Sequence, residues 1–106
     1  MRQFIKENHF NDADGNPAGG ETTGTGIGIT WQNGPLGRGA ERKEPNGAFV
    51  EGVIQAAIGR IEYYQASKFK SRENAIALTH LETALLWLGK RTADREAREV
   101  EGTHSV

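Results

Sequence analysis

The residues best suited to chemistry lie towards the C-terminal end, in Lys90-Arg91-Thr92-Ala93-Asp94-Arg95-Glu96-Ala97-Arg98. Arg91, Arg95 and Arg98 fall at i, i+4 and i+7, which places them on one face of a helix. A guanidinium presents a planar fork of donors that matches phosphate oxygens in pairs and can stack on a base. The stripe therefore fits an anion site, and Val100-Glu101-Gly102-Thr103 adds a glycine turn and a hydroxyl beside it. The same spacing also fits a solvated helix end in which Asp94 and Glu101 answer the arginines.

Two further groups suit a nucleotide. In Trp31-Gln32-Asn33-Gly34-Pro35 an aromatic ring, two side-chain amides and a tight turn could read a base or a ribose edge. An ordinary turn with Trp31 in the core explains the same residues. Tyr63, Tyr64 and Phe69 cluster ahead of Asn74, and a ring beside an amide can stack a purine, although such a cluster also serves as core packing.

Familiar catalytic templates do not fit. Gly24-Thr25-Gly26-Ile27-Gly28 resembles part of a dinucleotide fingerprint, but no helix follows to face a pyrophosphate. Asp12-Ala13-Asp14-Gly15-Asn16 resembles a calcium loop whose glycine comes too early and whose closing glutamate is missing, so a turn is expected there. His9, His80 and His104 have neither metal-ligand spacing nor a triad pattern. No catalytic, metal or cofactor constellation is legible, and the expectation is a binding protein rather than an enzyme.

These residues must be positioned by two unlike halves. Of the 14 glycines, only Gly89 and Gly102 come after residue 60. The first half is rich in turn formers: Asn11 to Pro17, Gly19-Gly20, Asn33-Gly34-Pro35 and Gly37-Arg38-Gly39. One strand is predicted there, from Thr23 to Trp31, with Thr23, Thr25, Ile27, Ile29 and Trp31 on a packing face and glycines on the other. The bare face invites close approach of another backbone, a ligand or a subunit.

After Pro45-Asn46-Gly47 the period becomes helical, with Val50, Val53, Ile54, Ala57, Ile58, Ile61 and Tyr64 at spacings of three and four. Gly52 and Gly59 weaken that helix by roughly 1 kcal/mol each and suggest that something packs closely on them. Residues Ala66 to Lys70 break the pattern. Ser71 is then placed to cap a second helix from Arg72 that carries Ala77, Leu78, Leu81, Ala84, Leu85 and Leu88 on one face. Two such helices with a short link must pack antiparallel. The predicted fold class is α+β: a short glycine-rich β part over 1–46, then a long antiparallel two-helix hairpin over 47–106 that ends in the arginine motif, all in one domain.

Composition bounds the function. A chain of 106 residues buries only a thin core, which favours self-association. Thirteen basic and fourteen acidic residues leave a net charge of −1, against bulk binding to nucleic acid or to a membrane surface. No cysteine is present, as suits a reducing cytoplasm, and no window has the roughly 20 apolar residues that span a bilayer.

Taken in order, Trp31-Gln32-Asn33-Gly34-Pro35, Asn46-Gly47, Phe69 with Arg72-Glu73-Asn74-Ala75, the Leu81–Leu88 stretch, Arg91-Thr92, Asp94-Arg95 and Val100-Glu101-Gly102-Thr103 resemble the phage-encoded Thoeris anti-defence sponges of the first type. The likeness covers roughly residues 27 to 104, and it is the ordered set that is specific. The resemblance implies a β-rich N-terminal part and a helical hairpin shared with anti-CBASS cyclic-nucleotide sponges. It also implies sequestration, without cleavage, of glycocyclic ADP-ribose signals, with cyclic oligonucleotides as further ligands in some members. A homo-oligomer, dimer or hexamer, acting in the cytoplasm of the infected bacterium follows from the same resemblance. Residue by residue, the implied ligand contacts are Tyr64, Asn74, Arg91, Asp94, Arg95 and Thr103; Gln32 and Asn33 join them from the turn described above. Tyr64-Gln65 stands where many relatives have phenylalanine before the glutamine, and Val50-Glu51-Gly52 replaces the usual acidic helix start. The segment before Thr23 matches nothing in that pattern. The alternatives are a small hydrolase or phosphodiesterase that destroys the signal, and a structural or nucleic-acid-associated phage protein.

Overall fold

The computed structural model describes residues 3–98. The chain divides into two compact units with the boundary between Phe49 and Val50. The N-terminal unit carries a three-stranded antiparallel meander, β1 (Ile5–Asn11), β2 (Pro17–Gly24) and β3 (Ile27–Trp31), in that spatial order. The second unit is a helical hairpin, α1 (Val50–Gln65) and α2 (Arg72–Ala97). The expected α+β class with a C-terminal antiparallel hairpin is what the structure has.

The sheet departs from its sequence expectation in two ways. The stretch Thr23 to Trp31 is not one strand: it folds back at Thr25-Gly26, where Gly26 takes φ +74° and Gly24 pairs with Ile27. A two-residue hairpin turn needs such a left-handed position, and glycine supplies it without a Cβ clash. Alternation across that turn looked continuous because two paired strands show the same period as one. The second departure is β1 together with the run through Gly19-Gly20, which lies inside β2 and not in a turn. Gly20 sits at φ +148° against β1, where a Cβ would come within 2.3 Å of the Asn8 carbonyl oxygen. Only a residue without a side chain lets the two backbones meet there.

The β1–β2 connection is the turn expected from Asp12 to Asn16. Asp12 Oδ1 accepts from the backbone N–H groups of Asp14 (2.9 Å) and Asn16 (3.0 Å), so the carboxylate closes its own loop as an Asx turn. The inner face of the sheet is short. Ile27, Ile29 and Trp31 share it with Thr22, which is the buried polar residue of the unit, whereas every residue of β1 is exposed.

In the hairpin the predicted α2 seam holds, and the α1 seam holds except at Val50 and Ala57, which are exposed. Asn74, Ala77, Leu78, Leu81, Ala84, Leu85 and Leu88 form the less exposed side of α2, and Val53, Ile54, Ile58 and Ile61 that of α1, the two packed against each other. Ser71 caps α2 as expected, its Oγ accepting from Asn74 N–H at 3.0 Å. The core is thin, since Ile58 is the one buried apolar side chain among the described residues. Gly52 and Gly59 face open space, with no atom within 4 Å of an added Cβ. The close packing expected on them is not made among the described residues. No described helix is long and apolar enough to cross a membrane.

Candidate functional site

The N-terminal unit holds Gln32 and Asn33 in a hydrogen-bonded clamp. Beyond β3 the chain makes a loop and returns so that Ala48 bridges Trp31 in parallel, with Ala48 N–H donating to Thr30 O (2.7 Å) and Gln32 N–H to Ala48 O (3.0 Å). Asn46 then locks the crossing. Its side-chain oxygen accepts from Asn33 N–H (2.8 Å), its amide donates to Asn33 O (3.1 Å), and its backbone N–H donates to Gln32 Oε1 (2.9 Å). Gln32 Nε2 donates in turn to Gly34 O at 3.2 Å. Gly47 is required by the same approach, because a Cβ there would lie 2.5 Å from the Trp31 carbonyl carbon. Thus the Gln32 side chain works within the fold, closing the loop from residue 34 to 45. The Asn33 side chain stands outside the clamp and lines a hollow of about 290 Å³ with Phe10, Gly19, Trp31 and Asn46. Trp31 itself follows the structural alternative, half-buried on the sheet with its indole N–H on Thr22 Oγ1 at 2.8 Å.

In the second unit, Tyr64 near the end of α1 and Asn74 in the first turn of α2 both lie at the hairpin's tip. Ser67 donates through both its N–H (3.0 Å) and its Oγ (2.6 Å) to the Tyr64 carbonyl, which ends α1 firmly at that turn. Gln65 bridges the two ends of the link, its Oε1 accepting from Ser71 N–H (2.9 Å) and its Nε2 donating to Ser71 O (3.0 Å). The Asn74 amide reaches Phe69 O at 3.4 Å. These bonds fix the backbone of the tip without burying its rings. Tyr63 is 62% and Phe69 66% exposed, so the aromatic cluster is not core packing within this chain, and Tyr64 is half-buried. Sequence reasoning read Asn46 as a turn residue and a motif position, named Gln65 only as the neighbour of Tyr64, and missed Ser67. Nothing marks their amides and hydroxyl as internal partners until the two ends of each loop are known to meet.

Arg91, Asp94 and Arg95 lie at the other end of α2. That helix has 26 residues against 16 in α1, so past about Leu88 it extends beyond the start of its partner. Arg95 falls in line with the Leu81–Leu85–Leu88 seam and is partly covered, and Arg91 is exposed one turn earlier. Asp94 pairs with Lys90 (2.9 Å), both exposed. Thr103 and the turn at Gly102 lie outside the described residues.

Asn74 and Arg91 are seventeen residues apart on one helix, about 25 Å along its axis at the usual rise. Within the hairpin, then, the suspected residues form two groups: stacking surfaces and amides at the tip, and a cationic end far from it.

Comparison with known proteins agrees with this architecture. The stretch 25–93 matches the family described as Acb2/Tad1, hairpin domain. The chain is also similar to a protein named Thoeris anti-defense 1 from Bacillus phage SBSphiJ7, 58% identical over 59 residues that make up 56% of this chain and 42% of that protein. It therefore spans less than half the length of that curated relative. The match takes in the β2–β3 turn, the Asn46 clamp, the tip and the start of the arginine stripe, and on that extent the chain belongs to the Acb2/Tad1 hairpin-domain family.

Proposed function

We propose that this chain is a phage anti-defence sponge that binds a cyclic ADP-ribose-type immune signal, of the glycocyclic ADP-ribose class, and holds it away from its receptor without cleaving it. The observation that carries this is the 58% identity to a phage protein named for countering Thoeris defence, in a chain whose hairpin presents exposed rings at one end and arginines at the other. Tyr64 stacks on the base, Asn74 offers an amide to it, and Arg91 and Arg95 neutralise the diphosphate through paired, charge-assisted hydrogen bonds. Asp94 and Thr103 complete the polar contacts to the riboses. On the N-terminal unit, taken by itself, Asn33 is a further ligand contact, with Gln32 holding its backbone.

The two groups on the hairpin are farther apart than a cyclised ligand of one adenine, two riboses and a diphosphate can reach. We infer that the site is completed between copies, the tip of one hairpin meeting the arginine end of another, in a homo-oligomer. A thin core and a row of exposed apolar side chains, among them Ile76, Leu86 and Trp87, support association. Function in the cytoplasm of the infected host follows from the same proposal.

The test separates capture from destruction. The protein is incubated with glycocyclic ADP-ribose, the mixture is heated, and the supernatant is assayed by mass spectrometry and for activation of a TIR-dependent effector. Loss of free ligand before heating and recovery of intact ligand after it is expected. Disappearance of the ligand in both arms would establish a hydrolase, and no depletion before heating would end the sponge proposal.

A further inference from the structure

Arg60 lies on α1, outside the arginine motif, and although exposed it is built into the aromatic tip. Its guanidinium carbon lies 4.9 Å from the ring centroids of both Tyr63 and Tyr64, and the rings stand 5.9 Å apart at 60°. Its Nε–H donates to the Tyr64 hydroxyl oxygen at 3.1 Å. A guanidinium has no acceptor, so in this pair the phenol can only accept. One consequence is geometric: a planar cation packed on both rings and bonded to one hydroxyl restricts Tyr64 to a narrow range of orientations. The other is chemical. With an oxygen lone pair taken by Arg60, the Tyr64 O–H proton is directed outward as a donor, and the nearby positive charge strengthens it.

We propose that Arg60 is a positioning and specificity-determining residue that orients the Tyr64 ring and commits its hydroxyl to donating, so that this site selects ligands with an acceptor atom, a phosphate oxygen or a base nitrogen, next to the stacked base. The proposal rests on Tyr64 being the stacking residue of the proposed ligand site. A phenylalanine at position 64 would stack equally well and lack this selection, and an arginine four residues earlier would then have no hydroxyl to orient.

The experiment titrates glycocyclic ADP-ribose into the full chain and into Tyr64→Leu, Tyr64→Phe, Arg60→Met and the Arg60→Met/Tyr64→Phe double variant, with thermal melts alongside. Met keeps the aliphatic stem of Arg60 and removes the fork. The expected result is a loss of affinity of about threefold to tenfold in each of Tyr64→Phe and Arg60→Met, with no further loss in the double variant and melts that barely move. Additive losses would show that the two groups act separately and overturn the proposal. If Tyr64→Leu weakens binding but Arg60→Met and Tyr64→Phe stay within about twofold, the inference about Arg60 fails and the proposed ligand site stands. If Tyr64→Leu also binds normally, the placement of the base on Tyr64 fails with it.

Discussion

The indole Nε1–H of Trp31 donates to Thr22 Oγ1 at 2.8 Å, diagonally across the β2–β3 ladder and two pairs along from Gly20, the residue opposite Trp31. A side chain that reads as a candidate base-stacking ring is thereby held on the sheet by a buried hydroxyl. Thr22 is 5% exposed, so water cannot take over for the lost hydroxyl.

Thr22→Val keeps the shape and β-propensity of the residue and leaves the indole N–H without its partner. The cost of such an orphaned donor is about 1–3 kcal/mol, less here because Trp31 is only half-buried. We expect Thr22→Val to lower stability by about 1 kcal/mol in chemical denaturation followed by tryptophan fluorescence. A midpoint unchanged from the parent would show that the bond contributes nothing to the sheet.

Glycines of this chain should respond to alanine in opposite directions. At Gly47 the new Cβ meets backbone atoms of Trp31 and Gln32 at 2.5–2.7 Å, and backbone cannot swing aside, so Gly47→Ala is expected to open the Asn46 clamp and cost about 2 kcal/mol or more. At Gly59, inside α1 and facing open space, alanine is expected to stabilise by about 0.5–1 kcal/mol through helix propensity. Thermal melts give the signs, and hydrogen exchange at the Gln32 and Ala48 amides reports the clamp. Faster exchange should appear in Gly47→Ala alone.

The contrast shows where the sequence was legible. The helices were, because each has one less exposed face and the period of Ile54, Ile58, Ile61 or Leu81, Leu85, Leu88 records it, and Ser71 is a cap by chemistry alone. Strand β1 was not: Ile5-Lys6-Glu7-Asn8-His9-Phe10-Asn11 is exposed on both faces, so no alternation marks it, and it is held by backbone pairing to β2. The site was legible as a list and not as an arrangement. Spacing put Arg91 and Arg95 on one stripe, but that Gln32 is engaged by Asn46, or Tyr64 by Arg60, depends on loop closure and rotamers that leave no period in a sequence.

Association is the next expectation. Leu86 is 74% and Trp87 67% exposed on α2, large apolar surfaces that a chain with one buried apolar residue among those described leaves in water. We expect light scattering at micromolar concentration to give a mass at least twice the 11.6 kDa of the chain, and Trp87→Lys to shift it downward. A parent that runs as 11.6 kDa would remove the proposed shared site, because one hairpin cannot bring Asn74 and Arg91 to one ligand.

The arginines provide the sharpest separation between a ligand site and a solvated helix end. Charge-assisted contacts to a diphosphate contribute about 1.5–3 kcal/mol each when desolvated, so Arg91→Ala or Arg95→Ala should weaken glycocyclic ADP-ribose binding about tenfold or more. Lys6→Ala, on β1, removes one positive charge from the other unit and should leave affinity within about twofold, which controls for net charge. Arg60 cannot serve as that control, since it lies on Tyr64. Stability distinguishes the remaining possibility: an exposed arginine on the overhanging end of α2 holds little of the fold, so Arg91→Ala should move the thermal midpoint no more than a surface substitution does, within about 0.5 kcal/mol. Calorimetric titration of the three variants with parallel melts therefore reads binding and folding apart, and equal affinities in all three would leave the arginine stripe a solvated helix end.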